Sequence, residues 1–137
     1  MEWTKGTYRI SDDKSELDLF YIAPALQQSY WAAGREQEVI EASIQNSLTL
    51  GLYTEGRQIG FARAVTDKCT FAWICDVMVH PDYRGVGLGK WLMDCLSEHP
   101  DVAGVSMQLL RTRDAHGLYE QYGYKVCDAM VKKIDRD

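Results

Sequence analysis

The sequence predicts an α/β (α+β) fold with a mixed, mostly antiparallel central sheet of six to seven strands and about four flanking helices. Three observations lead to this fold class. Strand and helix patterns alternate in the order β-α-α-β-β-β-α-β-α-β, with no internal repeat. The near-continuous apolar run at residues 71–79 is typical of a strand covered on both faces. A chain of 137 residues, 46% of them hydrophobic, can fill one core, so we expect a single domain over residues 1–137.

The N-terminal part predicts one strand and two helices. Residues 7–11 alternate weakly before a polar cluster, as a short strand does before a turn. Apolar residues recur at helical spacing over residues 17–30, where Pro24 should bend or divide the helix, and again over residues 35–47. Between the helices, residues 30–34 combine two large aromatics with a glycine, which suits either a loop lying across a pocket or a packed corner.

The middle of the chain predicts three strands in succession. Strand-forming residues fill positions 48–54 and 58–66, and the short turn between them indicates an antiparallel hairpin. The apolar run at residues 71–79 then supplies a third strand, which we expect at the centre of the sheet because it is apolar throughout, apart from Asp76.

The C-terminal part predicts two helices, each followed by a strand. Residues 88–96 have apolar side chains at helical spacing, and residues 102–110 alternate as a strand. Asp114 could cap a short helix that ends at Gly123. Residues 124–131 return as a last strand, which could be an edge or the contact of a homodimer.

Composition excludes several classes of function. The net charge is −5 and the charges are mixed along the chain, so no basic stripe predicts a nucleic-acid groove. The four cysteines form no C-x-x-C pair, which favours reduced thiols over disulfides or zinc. No signal-peptide core or membrane-spanning run is visible, so we expect a soluble, cytoplasmic protein without membrane or nucleic-acid partners.

The strongest functional signal is a glycine-rich stretch just after the predicted central strand. Gly85, Gly87 and Gly89 alternate before a helical pattern, so backbone N–H groups there can approach a ligand closely. Arg84 and Lys90 add positive charge, and no acidic residue lies between Arg84 and Met93. Because helix N-termini attract anions, this stretch predicts a phosphate or pyrophosphate site.

The spacing of these glycines excludes two common nucleotide loops. A Walker A loop needs four residues before its Gly-Lys pair and then Ser or Thr, whereas here three residues separate Gly85 from Gly89 and Trp91 follows Lys90. A dinucleotide G-x-G-x-x-G motif would need glycine at position 90 or 92.

Two motifs carry a resemblance to a known family. Arg84, Gly87 and Gly89 match the Arg-x-x-Gly-x-Gly signature of the GNAT family of acetyl-CoA-dependent N-acyltransferases. Residues 118–124 look like the Leu-Tyr-Glu-x-x-Gly-Phe/Tyr segment of the same family. The order of the predicted elements is also that of the GNAT acyl-CoA acyltransferase fold, so the resemblance covers nearly the whole chain.

The resemblance implies acetyl-CoA as acyl donor and a set of residues that bind it. The pantetheine arm would bond to the backbone of the central strand, and a strand N–H near Val77 or Val79 would polarise the thioester oxygen. Thr112 occupies a position where many relatives have an asparagine that touches the pantetheine. The cofactor-binding residues so implied are Val77, Met78, Val79, Arg84, Gly85, Val86, Gly87, Gly89, Lys90, Thr112 and Tyr119.

Two residues are candidates for catalysis. In the family, the tyrosine matching Tyr119 commonly protonates the leaving thiolate, and a phenol of pKa about 10 is close enough in acidity to a thiol of pKa about 8.5 for this role. Asp76 could take a proton from the acceptor amine, directly or through water, or could be a structural hydrogen-bond acceptor. Many relatives have a glutamate at the position of Cys75, which leaves the base open.

Other polar and aromatic residues are weaker candidates. Spacing gives His80, His99 and His116 no second metal ligand, so we expect surface or loop roles and no metal. Two roles fit Tyr30, Trp31 and Trp73, which are lining an acceptor pocket and packing in the core.

These observations predict direct acetyl transfer from acetyl-CoA to a primary amine of a small molecule or peptide. The alternative is a non-catalytic acyl-CoA-binding or sensing domain of the same fold.

Overall fold

A six-stranded sheet runs through the computed structural model, which describes residues 1–134. Neighbouring strands are antiparallel except for the last two, which are parallel. This confirms the mixed, mostly antiparallel sheet. The strands lie side by side in chain order as β1 (Glu2–Lys5), β2 (Tyr8–Ser11), β3 (Leu48–Thr54), β4 (Arg57–Thr66), β5 (Phe71–Val79) and β6 (Met107–Leu110).

Helices cover both faces of this sheet. They are α1 (Leu19–Gln27), α2 (Gln37–Gln45), α3 (Leu88–Glu98), α4 (Pro100–Ala103) and α5 (His116–Glu120). Helices α1 and α2 form one buried cluster with Phe61, whereas α3 packs against the neighbouring Ala62 and other residues of β3 to β5. Because successive residues of a strand point to opposite faces, these two clusters lie on opposite sides of the sheet.

The N-terminal half differs from expectation in two details. The strand predicted at residues 7–11 is present as β2, but it is the second half of a hairpin whose first strand, β1, is too polar and exposed to show a periodic pattern. Pro24 does not divide α1, which is a single helix capped by the Asp18 carboxylate on the N–H of Phe20 (2.9 Å).

The C-terminal half contains three corrections. The strand at residues 71–79 is found as β5, but the expectation that it is central was wrong, since only β6 lies beyond it in the described sheet. Residues 100–103 form α4 rather than the start of a strand, because Pro100 suits a first helical position and the His99 ring accepts the N–H of Asp101. The helix at α5 is preceded by a hydrogen bond from the Ala115 N–H to Thr112 Oγ1 (2.9 Å), not by an Asp114 cap.

The predicted last strand is not formed. Residues 124–131 have no strand partner within the described chain, and residues 125–134 are all exposed. The outer side of β6 is unpaired in the described chain, but residues 124–131 do not pair with it, so their strand pattern does not produce a strand.

In the part of the chain that the structure describes, every helix is too short or too polar to span a lipid bilayer.

Candidate active site

The two parallel strands of the sheet part halfway along β5. Their pairing runs from Phe71 and Met107 to Ile74 and Leu110, where β6 ends. The rest of β5, residues 75–79, has no neighbouring strand on that side within residues 1–134, and most of it is half-buried. An unpaired strand edge offers N–H and C=O groups to an extended ligand. Val77, Met78 and Val79, which the family resemblance implies for cofactor binding, lie on this free edge.

A bulge marks the start of the free edge. Asp76 has a φ of +52°, and the register between β4 and β5 shifts between Phe61 and Arg63. The left-handed region is uncommon for a residue with a side chain, although aspartate adopts it more readily than most. The bulge therefore needs contacts that hold it in place.

Three donors hold the Asp76 carboxylate. It accepts hydrogen bonds from Trp31 Nε1 (2.8 Å), Arg35 Nη1 (2.8 Å) and Arg63 Nε (2.9 Å). Its side chain is only 2% exposed. Arg63 comes from the adjacent strand β4, whereas Trp31 and Arg35 come from the loop between α1 and α2. We call these four residues the Asp76 network; it fastens the α1–α2 loop to the bulge.

The network also sets the protonation of Asp76. Burial alone would raise the pKa of its carboxyl, but the charges of Arg63 and Arg35, with the hydrogen bonds, bring the pKa below the ordinary value. A carboxylate with both oxygens bonded and a lowered pKa is a weak proton acceptor. Of the two roles considered for Asp76, the contacts favour the structural acceptor.

Cys75, at the position where the family resemblance implies a glutamate, has a thiol that is not a ready base. Burial raises the pKa of its thiol, and Sγ lies 3.6 Å from the carbonyl oxygen of Trp73. The thiol is therefore protonated near neutral pH.

The glycine loop leads from the end of β5 into α3. Gly85 and Gly87 have φ of +87° and +83°, and Gly87 is the N-cap of the helix without a side-chain hydrogen bond. A Cβ at either position would meet no atom within 4 Å, so glycine is required by the backbone conformation and not by packing. The first turn of α3 contains no acidic residue, and its N–H groups point out of the helix end.

Both ends of this loop carry basic side chains. Arg84 Nε donates to the carbonyl oxygen of Val79 (3.0 Å), which places its guanidinium beside the free edge of β5. Val86 is 65% exposed, and Gly89 and Lys90 lie in the first turn of α3. The loop has the backbone donors, the positive helix end and the cations of an anion site.

Tyr119 lies on α5, packed against the core on the side of the sheet that α3 covers. Its ring contacts that of Tyr124 edge to face, with centroids 6.0 Å apart. Burial, with a smaller effect of Tyr30, raises the pKa of its phenol. Tyr119 is therefore a protonated hydroxyl at neutral pH, as a hydrogen-bond donor must be. Thr112 precedes this helix and uses its oxygen to accept the Ala115 N–H, which leaves its hydroxyl hydrogen available.

An aromatic groove of about 610 Å³ lies between α1, the α1–α2 loop and the end of β5. Tyr30 and Trp31 are 54% and 44% exposed beside it, and the Arg113 guanidinium lies 3.9 Å from the Tyr30 ring. Of the predicted loop at residues 30–34, Tyr30 and Trp31 line this groove, whereas Ala32 is buried in the core. Trp73, in contrast, pairs with Leu109 in the sheet. The groove is lined by Phe20, Tyr21, Pro24, Ala25, Gln28, Ser29, Tyr30, Trp31, Met78, Val79, His80, Pro81, Asp82 and Arg84.

His80 and His99 have structural contacts, whereas His116 is exposed on α5. His80 Nδ1 accepts the N–H of Asp82 (3.1 Å) at the end of β5. The expectation of a surface or loop role was wrong for His99, which is 6% exposed and lies 2.8 Å through Nε2 from Asp12 Oδ2. Among residues 1–134, no group of three or more His, Cys, Asp or Glu side chains could hold a metal ion.

Sequence reasoning missed the two arginines of the Asp76 network and the α1 wall of the groove. A charge in an apolar strand signals that a partner is needed. It does not identify partners that come from 41 and 13 residues away.

The parallel strands β5 and β6 separate, and a glycine loop and an uncapped helix N-terminus lie at the end of the gap. This arrangement is that of the acyl-CoA acyltransferase folds. The model of the acetyltransferase (GNAT) domain matches residues 45–126. The chain belongs to the GNAT acetyltransferase family.

Individual relatives agree with this assignment. GCN5-related N-acetyltransferase 1, chloroplastic, of Arabidopsis thaliana is 34% identical over 140 residues, with 90% of this chain and 71% of the relative covered. A crystal structure from Xanthomonas campestris pv. campestris, of a protein assigned to the GNAT family, is 38% identical, has a TM-score of 0.89 and covers 93% of both chains.

Other likenesses are partial or concern the fold. N-acetylglutamate synthase from Neisseria gonorrhoeae, solved with coenzyme A and N-acetyl-glutamate, is 18% identical with a TM-score of 0.76, over 91% of this chain and 30% of that one. The chain spans between 35% and 66% of the length of four further curated relatives.

Proposed function

We propose that this chain is an N-acetyltransferase that moves an acetyl group directly from acetyl-CoA to a primary amine of a small molecule or peptide. One observation carries the proposal: the free edge of β5 leads straight into the glycine loop and the bare N-terminus of α3. A continuous path of backbone donors and acceptors that ends at a positive helix terminus suits an extended ligand with a pyrophosphate at one end.

The residues of this path fit acetyl-CoA. The backbone of Val77, Met78 and Val79 would hold the pantetheine arm, because no strand of the described chain occupies that edge. The space around Gly85 and Gly87, the free N–H groups of α3 and the absence of acid in its first turn fit a pyrophosphate. When bound, acetyl-CoA supplies an acetyl group activated as a thioester. The pyrophosphate of acetyl-CoA would contact residues of the glycine loop and the start of α3, namely Arg84, Gly85, Val86, Gly87, Gly89 and Lys90.

The side chains around the path have separable tasks. As the amine nitrogen bonds to the acetyl carbon and the carbon–sulfur bond breaks, Tyr119 donates its hydroxyl hydrogen to the leaving sulfur, since its raised pKa keeps it protonated. The proton lost by the amine passes to water, and water returns a proton to the Tyr119 phenolate. A backbone N–H of Val77 or Val79 stabilises the negative charge on the carbonyl oxygen. Asp76 keeps the bulge and the α1–α2 loop in place, and the aromatic groove beside that loop receives the acceptor.

Two measurements test the proposal. Acetyl-CoA at a hundred times its dissociation constant should stabilise the fold by about 2.7 kcal/mol, seen as a rise in Tm. Release of free thiol should then follow when a panel of primary amines is added. Unchanged Tm at millimolar acetyl-CoA would exclude the cofactor site itself.

A second function is favoured by one observation. The Asp76 carboxylate is paired with two arginines, so it is a poor base. The family resemblance implies a glutamate at position 75, but this chain has a cysteine whose thiol pKa is raised, so this position does not supply a base either. This supports a non-catalytic acyl-CoA-binding or sensing domain. If acetyl-CoA strongly raises the Tm and no amine in the panel causes release of free CoA thiol, the chain is a binding or sensing domain and not an enzyme.

Alanine at position 87 should weaken acetyl-CoA binding. Gly87 is in the left-handed region, where a Cβ is disfavoured and would also stand in the space left for the anion. We expect the dissociation constant to rise about tenfold, which corresponds to ~1.4 kcal/mol, in isothermal titration calorimetry.

Gly56 provides a matched control for this variant. It lies in the turn between β3 and β4 with a φ of +78°, also with no atom near its added Cβ. Gly56→Ala should lose a similar ~1–2 kcal/mol of stability and keep its affinity for acetyl-CoA. Equal loss of affinity in both variants would mean that Gly87 acts only through stability.

A further inference from the structure

An arginine from the loop after β6 contacts the aromatic groove. Arg113 lies shortly after the end of β6, and its guanidinium carbon is 3.9 Å from the centre of the Tyr30 ring. Tyr30 lines the groove and belongs to the loop between α1 and α2. A guanidinium stacks well on an aromatic face, so this contact holds the cation beside the groove.

The hydrogen-bond donors of this guanidinium are unused within the described chain. They lie in the guanidinium plane, so a contact made through its face leaves them available. Arg35 and Arg63 are both paired with Asp76, whereas Arg113 forms neither an ion pair nor a hydrogen bond with any described residue. A planar set of available donors beside a groove suits a carboxylate, which can accept two parallel hydrogen bonds from it.

The position of Arg113 indicates that its anion belongs to the acceptor and not to the pyrophosphate of acetyl-CoA. The glycine loop that suits the pyrophosphate lies at the N-terminus of α3, whereas Arg113 contacts a ring of the groove. That ring, Tyr30, also lies close enough to Tyr119 to add to the rise in the pKa of its phenol. One ring therefore neighbours both the guanidinium and the hydroxyl proposed to meet the sulfur, which is where the acceptor amine must arrive.

The groove offers little to a second positive charge. Asp82 supplies the one carboxylate among its described lining residues, and that side chain is 81% exposed. An ion pair with so exposed a carboxylate is weak, because water and salt screen it. A polyamine therefore gains little from this groove, whereas an amine that also carries a carboxylate can bind Arg113.

We propose that Arg113 determines which amines are acetylated, and that the acceptor is a primary amine that also carries a carboxylate, as a free α-amino acid does. The carboxylate accepts hydrogen bonds from Arg113, and the amine of the same molecule faces the thioester. Tyr30 is a positioning residue, since its ring fixes the plane of the guanidinium. The inference rests on the proposed acetyl transfer and narrows its acceptor. Because the carboxylate takes no part in the reaction, the N-acetylated product binds Arg113 in the same way.

Titration calorimetry with a matched pair of products tests this role in the presence of CoA. The probes are N-acetylphenylalanine and N-acetylphenethylamine, which differ only in the carboxylate. Charge-assisted hydrogen bonds predict that the carboxylate probe binds about 10- to 100-fold more tightly. Arg113→Gln should abolish this preference, and Arg111→Gln, at an exposed position in the same loop, should keep it. Equal or absent binding of the two probes, or a preference that survives in folded Arg113→Gln, would overturn the proposal.

Two variants of Tyr30 test the positioning of the guanidinium. Tyr30→Phe keeps the aromatic face and should keep the preference for the carboxylate probe. Tyr30→Leu removes that face and should reduce the preference about two- to fivefold. The same preference in both variants would mean that the ring does not position Arg113.

Thiol release separates this inference from the proposed function. If wild type and Arg113→Gln acetylate phenylalanine and phenethylamine with the same ratio of kcat/KM, acetyl transfer is correct and the role of Arg113 is wrong. If no amine releases thiol but the calorimetric preference depends on Arg113, acetyl transfer is wrong and the carboxylate site remains.

Discussion

Replacing Tyr119 with phenylalanine is expected to lower kcat for acetyl transfer by about 10²–10⁴-fold, the usual contribution of a positioned acid. The substitution removes one oxygen and keeps the ring, which packs edge to face on Tyr124. Stability and the affinity for acetyl-CoA should therefore change little. The rate of thiol release at saturating acetyl-CoA measures kcat, and titration calorimetry separately measures the affinity for acetyl-CoA.

Tyr122→Phe is the control for this prediction. Tyr122 lies three residues after Tyr119, just beyond α5, and is also a partly buried phenol that packs against the core. Burial raises its pKa as well, so the two substitutions remove similar groups from the same short segment. Near wild-type kcat is expected for Tyr122→Phe. Equal activity in both variants would exclude Tyr119 as the acid.

The pH profile gives an independent readout of Tyr119. Because its pKa is raised above the ordinary phenol value of about 10, the donor form persists through neutral and mildly alkaline pH. If deprotonation of Tyr119 causes the fall of the wild-type kcat at alkaline pH, the midpoint of that fall must therefore lie above about pH 10. The remaining kcat of Tyr119→Phe should not show this fall at alkaline pH.

The fold was predictable wherever the pattern was local. The bounds of β5 match the apolar run at residues 71–79, and α3 matches the apolar spacing from Leu88. The glycine loop was equally visible, since the conformation at Gly85 and Gly87 depends on the residue itself. Spacing within one short stretch was sufficient for these features.

Features that depend on distant residues were not predictable. The sequence required a partner for Asp76, but only the folded chain brings Arg35 and Arg63 to it. Residues 124–131 have a strand pattern, but whether a strand forms depends on pairing with a neighbouring strand, which local sequence does not specify. His99 was similarly misjudged because its partner, Asp12, is 87 residues away.

Removing the Asp76 carboxylate should cost the largest amount of stability of any single change considered. Asp76→Ala leaves Arg35 and Arg63, whose side chains are 22% and 12% exposed, without a counter-charge. Breaking a buried ion pair on one side typically costs about 3–5 kcal/mol. Urea denaturation should show a loss in this range. Glu16→Gln, which breaks the exposed ion pair with Arg9, should cost about 1 kcal/mol or less.

The acid dependence of stability identifies the same interaction. Since the pKa of Asp76 in the folded chain lies below its ordinary value of 3.8, its stabilisation is complete above that value. It is lost as the pH falls from there through the folded pKa. The stability difference between wild type and Asp76→Asn should therefore shrink on acidification below about pH 4. A difference that stays constant across this range would mean that Asp76 is not the titrating partner of the two arginines.

Asp76→Asn also separates a positioning role from a catalytic base. Asparagine retains one oxygen that can accept from Trp31 or an arginine, so part of the network survives. If Asp76 only positions the α1–α2 loop, the variant loses stability and the KM of the acceptor amine rises, because that loop borders the groove. If Asp76 is the base, kcat collapses at every pH and the KM of the amine is unchanged. The three hydrogen bonds to the carboxylate and its lowered pKa favour the first outcome.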